Sequence, residues 1–252
     1  MPSGKDFHSL SALVARSRTF KKNRFMTTSS HSASEEESLK LVEDFDTELR
    51  DALDSLGKKP AGILDTYRFW SAKHLQRAVA GFASLRRPGL MDSSKFLVRP
   101  AIEMAFRLEA ARQHPDVFYR IAHEEHRQDK HLMQGERHLL AQLEKNWDKF
   151  KNAFVKEFPS VPVPNVNDRL TIEYVADKAR MKSYYDSHYR IYSRYTHGAL
   201  QGSTGNIDKA TDPADNRNIA ICALVALDNL ISLGAKSPNH DSLVKRLERL
   251  PA

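Results

Sequence analysis

Two arginines and a histidine stand within eight residues in the segment YRIYSRYTHG (189–198). Arginine offers a planar fork of donors that fits phosphate oxygens, and histidine gains or loses a proton near neutral pH. Arg190, Arg194 and His197 are therefore the candidate catalytic residues: a clamp for a charged oxygen beside a group that can move a proton. At about 100° per residue, Met181, Tyr185, His188, Tyr192 and Tyr195 form one helical stripe, while Asp186, Arg190, Arg194 and His197 fall on the opposite side, flanked by Ser183 and Ser193. The aromatic stripe reads as core. The polar face is either a solvated surface, a polar network within a bundle, or a functional site.

A second charged pattern precedes it. In FLVRPAIEMAFRLE, Arg99, Glu103 and Arg107 are spaced four apart and form a ladder of alternating charge. A ladder on the surface contributes only tenths of a kcal/mol per pair. The sharper expectation is that Glu103 reaches across the bundle to Arg190 or Arg194 and orients it. Pro100 removes a backbone donor inside this ladder, so a helix start or kink is expected there.

These residues carry a resemblance. The arginine and histidine of Arg190 and His197 enclose six residues, which resembles the arginine, four-to-six residues, histidine motif of the HEPN superfamily of small helical bundles, many of them metal-independent ribonucleases. The same helix resembles an uncharacterised bacterial family of unknown function. Its pattern of a tyrosine-arginine pair, a serine, then histidine and a small residue falls on Tyr189, Arg190, Ser193, His197 and Gly198, and its second signature, arginine followed four residues later by glutamate, falls on Arg99 and Glu103. Ribonuclease members often place a polar residue directly after the arginine, where this chain has Ile191. The resemblance implies RNA cleavage or RNA binding, with His197 acting on a ribose 2′-hydroxyl and Arg190, with Arg194, steadying the phosphate; Arg99, Glu103, Tyr189 and Ser193 would form a supporting polar network. It further implies a homodimer, RNA or a nucleotide as ligand, an antitoxin-like partner protein, and a bacterial cytoplasmic setting of the defence or toxin type. The alternative is a helical binding protein without chemistry, in which the same Arg, His and Glu residues are structural.

Other chemistries are disfavoured by spacing. His114, His123, His126, His131 and His138 crowd one stretch with Glu124 and Glu125, but HEEH is not HExxH, and His126 and His131 lie five apart. No metal and no cofactor is expected. Charges on nearly every side of AHEEHRQDKHLMQGERH read as an exposed helix. Cys222, the single cysteine, sits among Ala220, Ile221 and Ala223 and reads as a buried structural thiol suited to a reducing cytosol. GSTGN at 202–206 lacks the lysine and the preceding strand of a phosphate-binding loop.

The elements that must hold these residues are helices. Ser34 and Glu37 read as a capping box opening a helix with Leu39, Val42, Phe45, Leu49, Leu53 and Leu56 at helical spacing, closed by Gly57 and Pro60. Further helices are expected over 63–84, 93–112, 116–157, 171–179, up to Gly198, 215–233 and from 240, with PSVPVPN (159–165) as the clearest loop. No stretch alternates as a strand does. The fold class is all-α: a single multi-helix bundle over 35–252 behind a basic, Ser-rich tail over 1–34 that reads as disordered, the other readings being a transit peptide or, for residues 1–25 before Met26, an upstream extension from a misplaced start codon. The 39 basic residues against 32 acidic ones give +7, a balance that favours polyanionic partners, although part of the excess lies in that tail. The longest apolar run is too short and too interrupted to cross a membrane, so no membrane partner is expected.

Overall fold

The computed structural model describes residues 28–57, 60–196 and 208–250, and gives the backbone alone for 28–34, 194–196 and 208–213. Its order is α1 (Thr28–Ser55), α2 (Ile63–Arg86), α3 (Met91–Gln113), α4 (Pro115–Leu132), α5 (Arg137–Glu157), α6 (Ile172–Lys178), α7 (Lys182–Tyr184), a π-helical turn (Tyr185–Tyr189), α8 (Arg190–Thr196), α9 (Asp208–Ser232) and α10 (His240–Arg249). Among the described residues there is no strand, and the expected all-α bundle is what forms.

Helix α1 buries Leu41, Val42, Phe45, Leu49 and Ala52 in one stripe, and Gly57, at φ +57°, turns the chain out of it. It begins at Thr28, six residues before the expected start, so Ser34 and Glu37 lie within the helix and not at its start. Of the tail expected over 1–34, residues 28–34 belong to α1 and residues 1–27 lie outside the described residues.

Helix α9 is the centre of the bundle. It packs against α1, α2 and α3, and every residue from Asp215 to Leu227 is buried. The run IAICALVAL leaves no polar face, and a helix apolar all round must be enclosed. Cys222 lies inside it, where burial pushes its thiol far above the usual range and makes it inert, as its neighbours suggest.

Helix α3 runs unbroken from Met91 through Pro100, which lies on its exposed side, so the helix does not start there. The predicted 116–157 helix is two helices, divided at 133–136, and the histidine-bearing stretch is not exposed all round: His126 stacks on Trp147 of α5, 4.9 Å between ring centres with planes 13° apart. Among the described residues, no His, Cys, Asp and Glu side chains converge as a metal site, and no helix is long and apolar enough to cross a membrane.

Helix α2 starts with Gly62, which has no side chain to cap it. The cap comes from the far end of α5, where the Glu157 carboxylate accepts from the Ile63 N–H at 2.7 Å and the Leu64 N–H at 3.3 Å. A Cβ at position 62 would stand 2.7 Å from that carboxylate, so only glycine leaves it room. Gly62→Ala and Glu157→Ala should each lower stability by about 1 kcal/mol in chemical denaturation, and the double variant should lose little more than either, because both remove one cap.

Candidate functional site

The segment from α7 to α8 is not one regular helix. Tyr184 and Tyr189 are both buried although five residues apart, a separation that in an α-helix places side chains about 140° from each other. The π-turn between them absorbs the extra residue and returns both rings to the core side, where each lies against Phe106 of α3 at 6.1 Å. The buried set is therefore Met181, Tyr184, Tyr189 and Tyr192, whereas Tyr185 and His188 of the expected stripe are only partly covered; the side chain of Tyr195 lies outside the described residues.

Tyr189 meets the charged ladder of α3. Its hydroxyl donates to Glu103 Oε1 at 2.5 Å, the Arg99 Nε donates to the same oxygen at 3.0 Å, and the Arg99 guanidinium lies 5.7 Å above the Tyr189 ring. Burial, with the Glu103 carboxylate beside it, pushes the Tyr189 hydroxyl up to about 12, so it is a fixed donor at neutral pH. Partial burial works against the Arg99 charge, but Tyr189 and Glu103 outweigh it and hold its pKa above the usual value. Arg107 does not extend the ladder; it turns to Glu125 of α4 at 3.4 Å.

Glu103 thus reaches across the bundle to Tyr189 and not to Arg190, one of its two expected partners; the side chain of the other, Arg194, lies outside the described residues. The next residue points outward: Arg190 has a side chain 65% exposed and approaches Asp186, one turn back, at 3.9 Å. Neighbouring positions on a helix lie about 100° apart, which lets the tyrosine face in and the arginine face out. Ser193, partly buried, follows on α8. The Arg194 side chain and all of His197 lie outside the described residues, so the structure brings together Arg99, Glu103 and Tyr189 and places Arg190 beside them on the surface.

A second polar group lies deeper, in residues that the sequence reading passed over. Asp215, Asn216, Arg217 and Asn218 of α9 are all at most 4% exposed. Arg86 Nη2 of α2 donates to Asp215 Oδ2 at 2.6 Å, with both side chains enclosed. The Tyr192 hydroxyl donates to Asp215 Oδ1, and Asn218 Nδ2 donates to the Tyr192 oxygen at 2.8 Å. Tyr184 donates to Asn218 Oδ1 at 2.7 Å, and Asn216 Nδ2 donates to Ser38 Oγ of α1 at 2.8 Å. Burial raises the hydroxyls of Tyr184 and Tyr192 well above their usual range, which keeps both protonated as donors. The signal that could have found this group is the run DNRN directly before IAICALVAL: polar residues at every angle of a helix that is enclosed on all sides.

His188 stacks on Tyr184 at 4.7 Å. The Ser187 hydroxyl spends its one proton on the Ser183 carbonyl at 2.8 Å, so at 2.7 Å from His188 Nδ1 it accepts, which assigns the imidazole proton to Nδ1. Burial, aided by the Arg217 charge, pulls His188 down to about 4. Burial likewise lowers Arg217, whose Nε has no hydrogen-bond partner.

The architecture defines a helical bundle whose central helix carries a buried polar group beside a tyrosine-arginine step. The chain belongs to a family of unknown function (DUF5677), whose model matches residues 69–215, more than half of its length and spanning both the Arg99–Glu103 ladder and the segment from Tyr189 to His197. No curated protein and no solved structure matches the chain.

Removing either partner of the enclosed Arg86–Asp215 pair leaves an uncompensated charge. Asp215→Ala and Arg86→Met should each cost about 3–5 kcal/mol in urea unfolding, with the double variant recovering part of that loss. His188 is more basic unfolded, near 6.5, than folded, near 4, so the unfolded state binds the extra proton first. Stability should fall as the pH drops from about 6.5 towards 4, and His188→Gln should flatten that part of the stability–pH curve.

Proposed function

We propose that the chain is a HEPN-like protein that binds RNA and cleaves it without a metal, with Arg190 holding the phosphate and His197, seven residues on, exchanging the proton with the ribose 2′-hydroxyl. The observation that carries this reading is the division at Tyr189 and Arg190. Tyr189 is fixed by Glu103 and Arg99, while Arg190 keeps its guanidinium in solvent on the same rigid step, with only a 3.9 Å approach from Asp186. A clamp for phosphate needs a positioned backbone and uncommitted donors, and Arg190 has both.

Tyr189, Glu103 and Arg99 are then positioning residues, since their polar atoms are spent on one another. Dimerisation is part of the proposal because HEPN sites commonly combine two protomers; Ile191, 48% exposed beside Arg190, would lie near such a contact. An antitoxin-like partner and a bacterial cytoplasmic setting belong to the same resemblance. The reading without chemistry draws support from the buried Arg86–Asp215–Tyr192 group, which has the character of a structural network.

The test is incubation of the full chain with structured and single-stranded RNA in EDTA. Cleavage leaving 2′,3′-cyclic phosphate ends is expected, reduced at least 100-fold in Arg190→Ala and His197→Ala while both retain the parent's thermal midpoint. Intact RNA with all three folded proteins would remove the enzyme reading. RNA binding that weakens in Arg190→Ala, without cleavage, would leave the binding reading standing.

A further inference from the structure

Arg217 is a charge that the bundle leaves unanswered. It stands on α9 two residues after Asp215, keeps 4% of its surface, and has its Nε enclosed without a hydrogen-bond partner. Among the described residues no carboxylate pairs with it. The acid nearest in sequence, Asp215, is met by Arg86 and Tyr192 and lies about 160° away around the helix. A guanidinium does not shed its proton to relieve this cost, and an enclosed charge without a counter-charge is strongly unfavourable.

The groups around Arg217 are neutral. The Tyr184 hydroxyl donates to Asn218, the residue after Arg217, and the Tyr184 ring stacks on His188 of the π-turn at 4.7 Å. Tyr184 thus joins His188 to this part of α9, and the Arg217 charge is felt at both side chains. His188 is only partly covered, and its Nδ1 proton is taken by Ser187, which leaves Nε2 as the open ring nitrogen.

A ligand complementary to this pair brings negative charge for the guanidinium and a proton that the imidazole can share. A carboxylate supplies the charge but near neutral pH has no proton to offer. Phosphate and its monoesters, with a second pKa of about 6, supply both. A phosphodiester within a chain lacks the proton, and its two flanking nucleotides crowd an arginine so nearly enclosed. We propose that Arg217 and His188 form a site for a phosphate group, free or at the end of a monoester, with anionic oxygens at the guanidinium and one proton shared with His188 Nε2. The site uses neither Arg190 nor His197 and does not depend on RNA cleavage.

The test follows the His188 imidazole of the full chain by NMR between pH 7 and 4, its signal assigned by its loss in His188→Gln, with phosphate or with sodium chloride at equal ionic strength. Saturating phosphate should move the His188 midpoint from about 4 to about 5–6, because a neighbouring anion favours the charged imidazole. It should also raise the thermal midpoint, as any ligand of the folded state does. Both responses should vanish in Arg217→Met. Without phosphate, that variant should keep its thermal midpoint or gain, and its His188 should titrate higher than the parent's, since an unpartnered charge has been removed. A 5′-phosphorylated trinucleotide that competes with phosphate, where its 5′-hydroxyl form does not, would identify the source as a nucleic-acid end; competition by neither would identify free phosphate. The proposal is overturned if chloride acts as phosphate does, if phosphate leaves His188 unmoved, or if Arg217→Met keeps the phosphate response. A thermal midpoint lowered in unliganded Arg217→Met would also overturn it, by showing that the guanidinium is already satisfied within the fold.

Discussion

Helix α9 is enclosed along most of its length, and each polar group it carries inside must be met by another helix. This requirement organises the bundle. Asp215 is met by Arg86 of α2 and Tyr192 of α8, Asn216 by Ser38 of α1, Asn218 by Tyr184 of α7, and near the other end Asn229 by Arg68 of α2 and Glu109 of α3. Apolar contacts alone would permit α9 to slide or rotate by one residue among Ala, Leu and Val neighbours of similar size. A one-residue shift would instead strand several buried donors and acceptors at once, each costing roughly 1–3 kcal/mol. The polar groups of α9 therefore fix which residue faces which helix, while the hydrophobic effect holds the bundle closed.

The same logic separates positioned from available groups near Tyr189. Two layers of hydrogen bonds lie beneath α8: the enclosed Asp215 layer, which accepts from Tyr192, and the shallower Glu103 layer, which accepts from Tyr189 and Arg99. Both terminate in tyrosines kept protonated by burial. Arg190 stands above these layers and belongs to neither. Its backbone is flanked by the anchored Tyr189 and Tyr192, and its side chain keeps the solvation of the surface.

Much of this was legible in the sequence, for identifiable reasons. Helices α1, α2, α3 and α9 announce themselves by apolar residues at helical spacing and by Gly and Pro at their ends, signals that are local and strong. The meeting of α3 with the Tyr189 segment was legible in part: Glu103 was rightly placed as a residue reaching across the bundle, but it meets Tyr189 where Arg190 was expected. Charge complementarity suggested that choice, whereas the turn geometry decided it, and the π-turn leaves no local mark in YDSHY that a regular 3.6-residue count could detect. The Glu157 cap on α2 and the Arg86–Asp215 pair were illegible because their partners are separated by about a hundred residues and are joined only by the packing itself. The start of α1 was misjudged because Ser34 and Glu37 satisfy a capping pattern that a continuing helix also tolerates.

The π-turn makes the α7–α8 segment a helix with two phases. Residues up to Tyr184 and residues from Tyr189 onward keep separate angular frames, offset by the one inserted position, so the spacing between a feature before the turn and one after it carries no fixed angular meaning. Relatives that lack one residue within 185–189 would continue as a regular α-helix and still present the same side of α8 to the core. For a chain such as this, an alignment gap of one residue there is the loss of the π-turn and not a rotation of α8, and a fixed-period pattern drawn across the turn would compare residues that do not share a face.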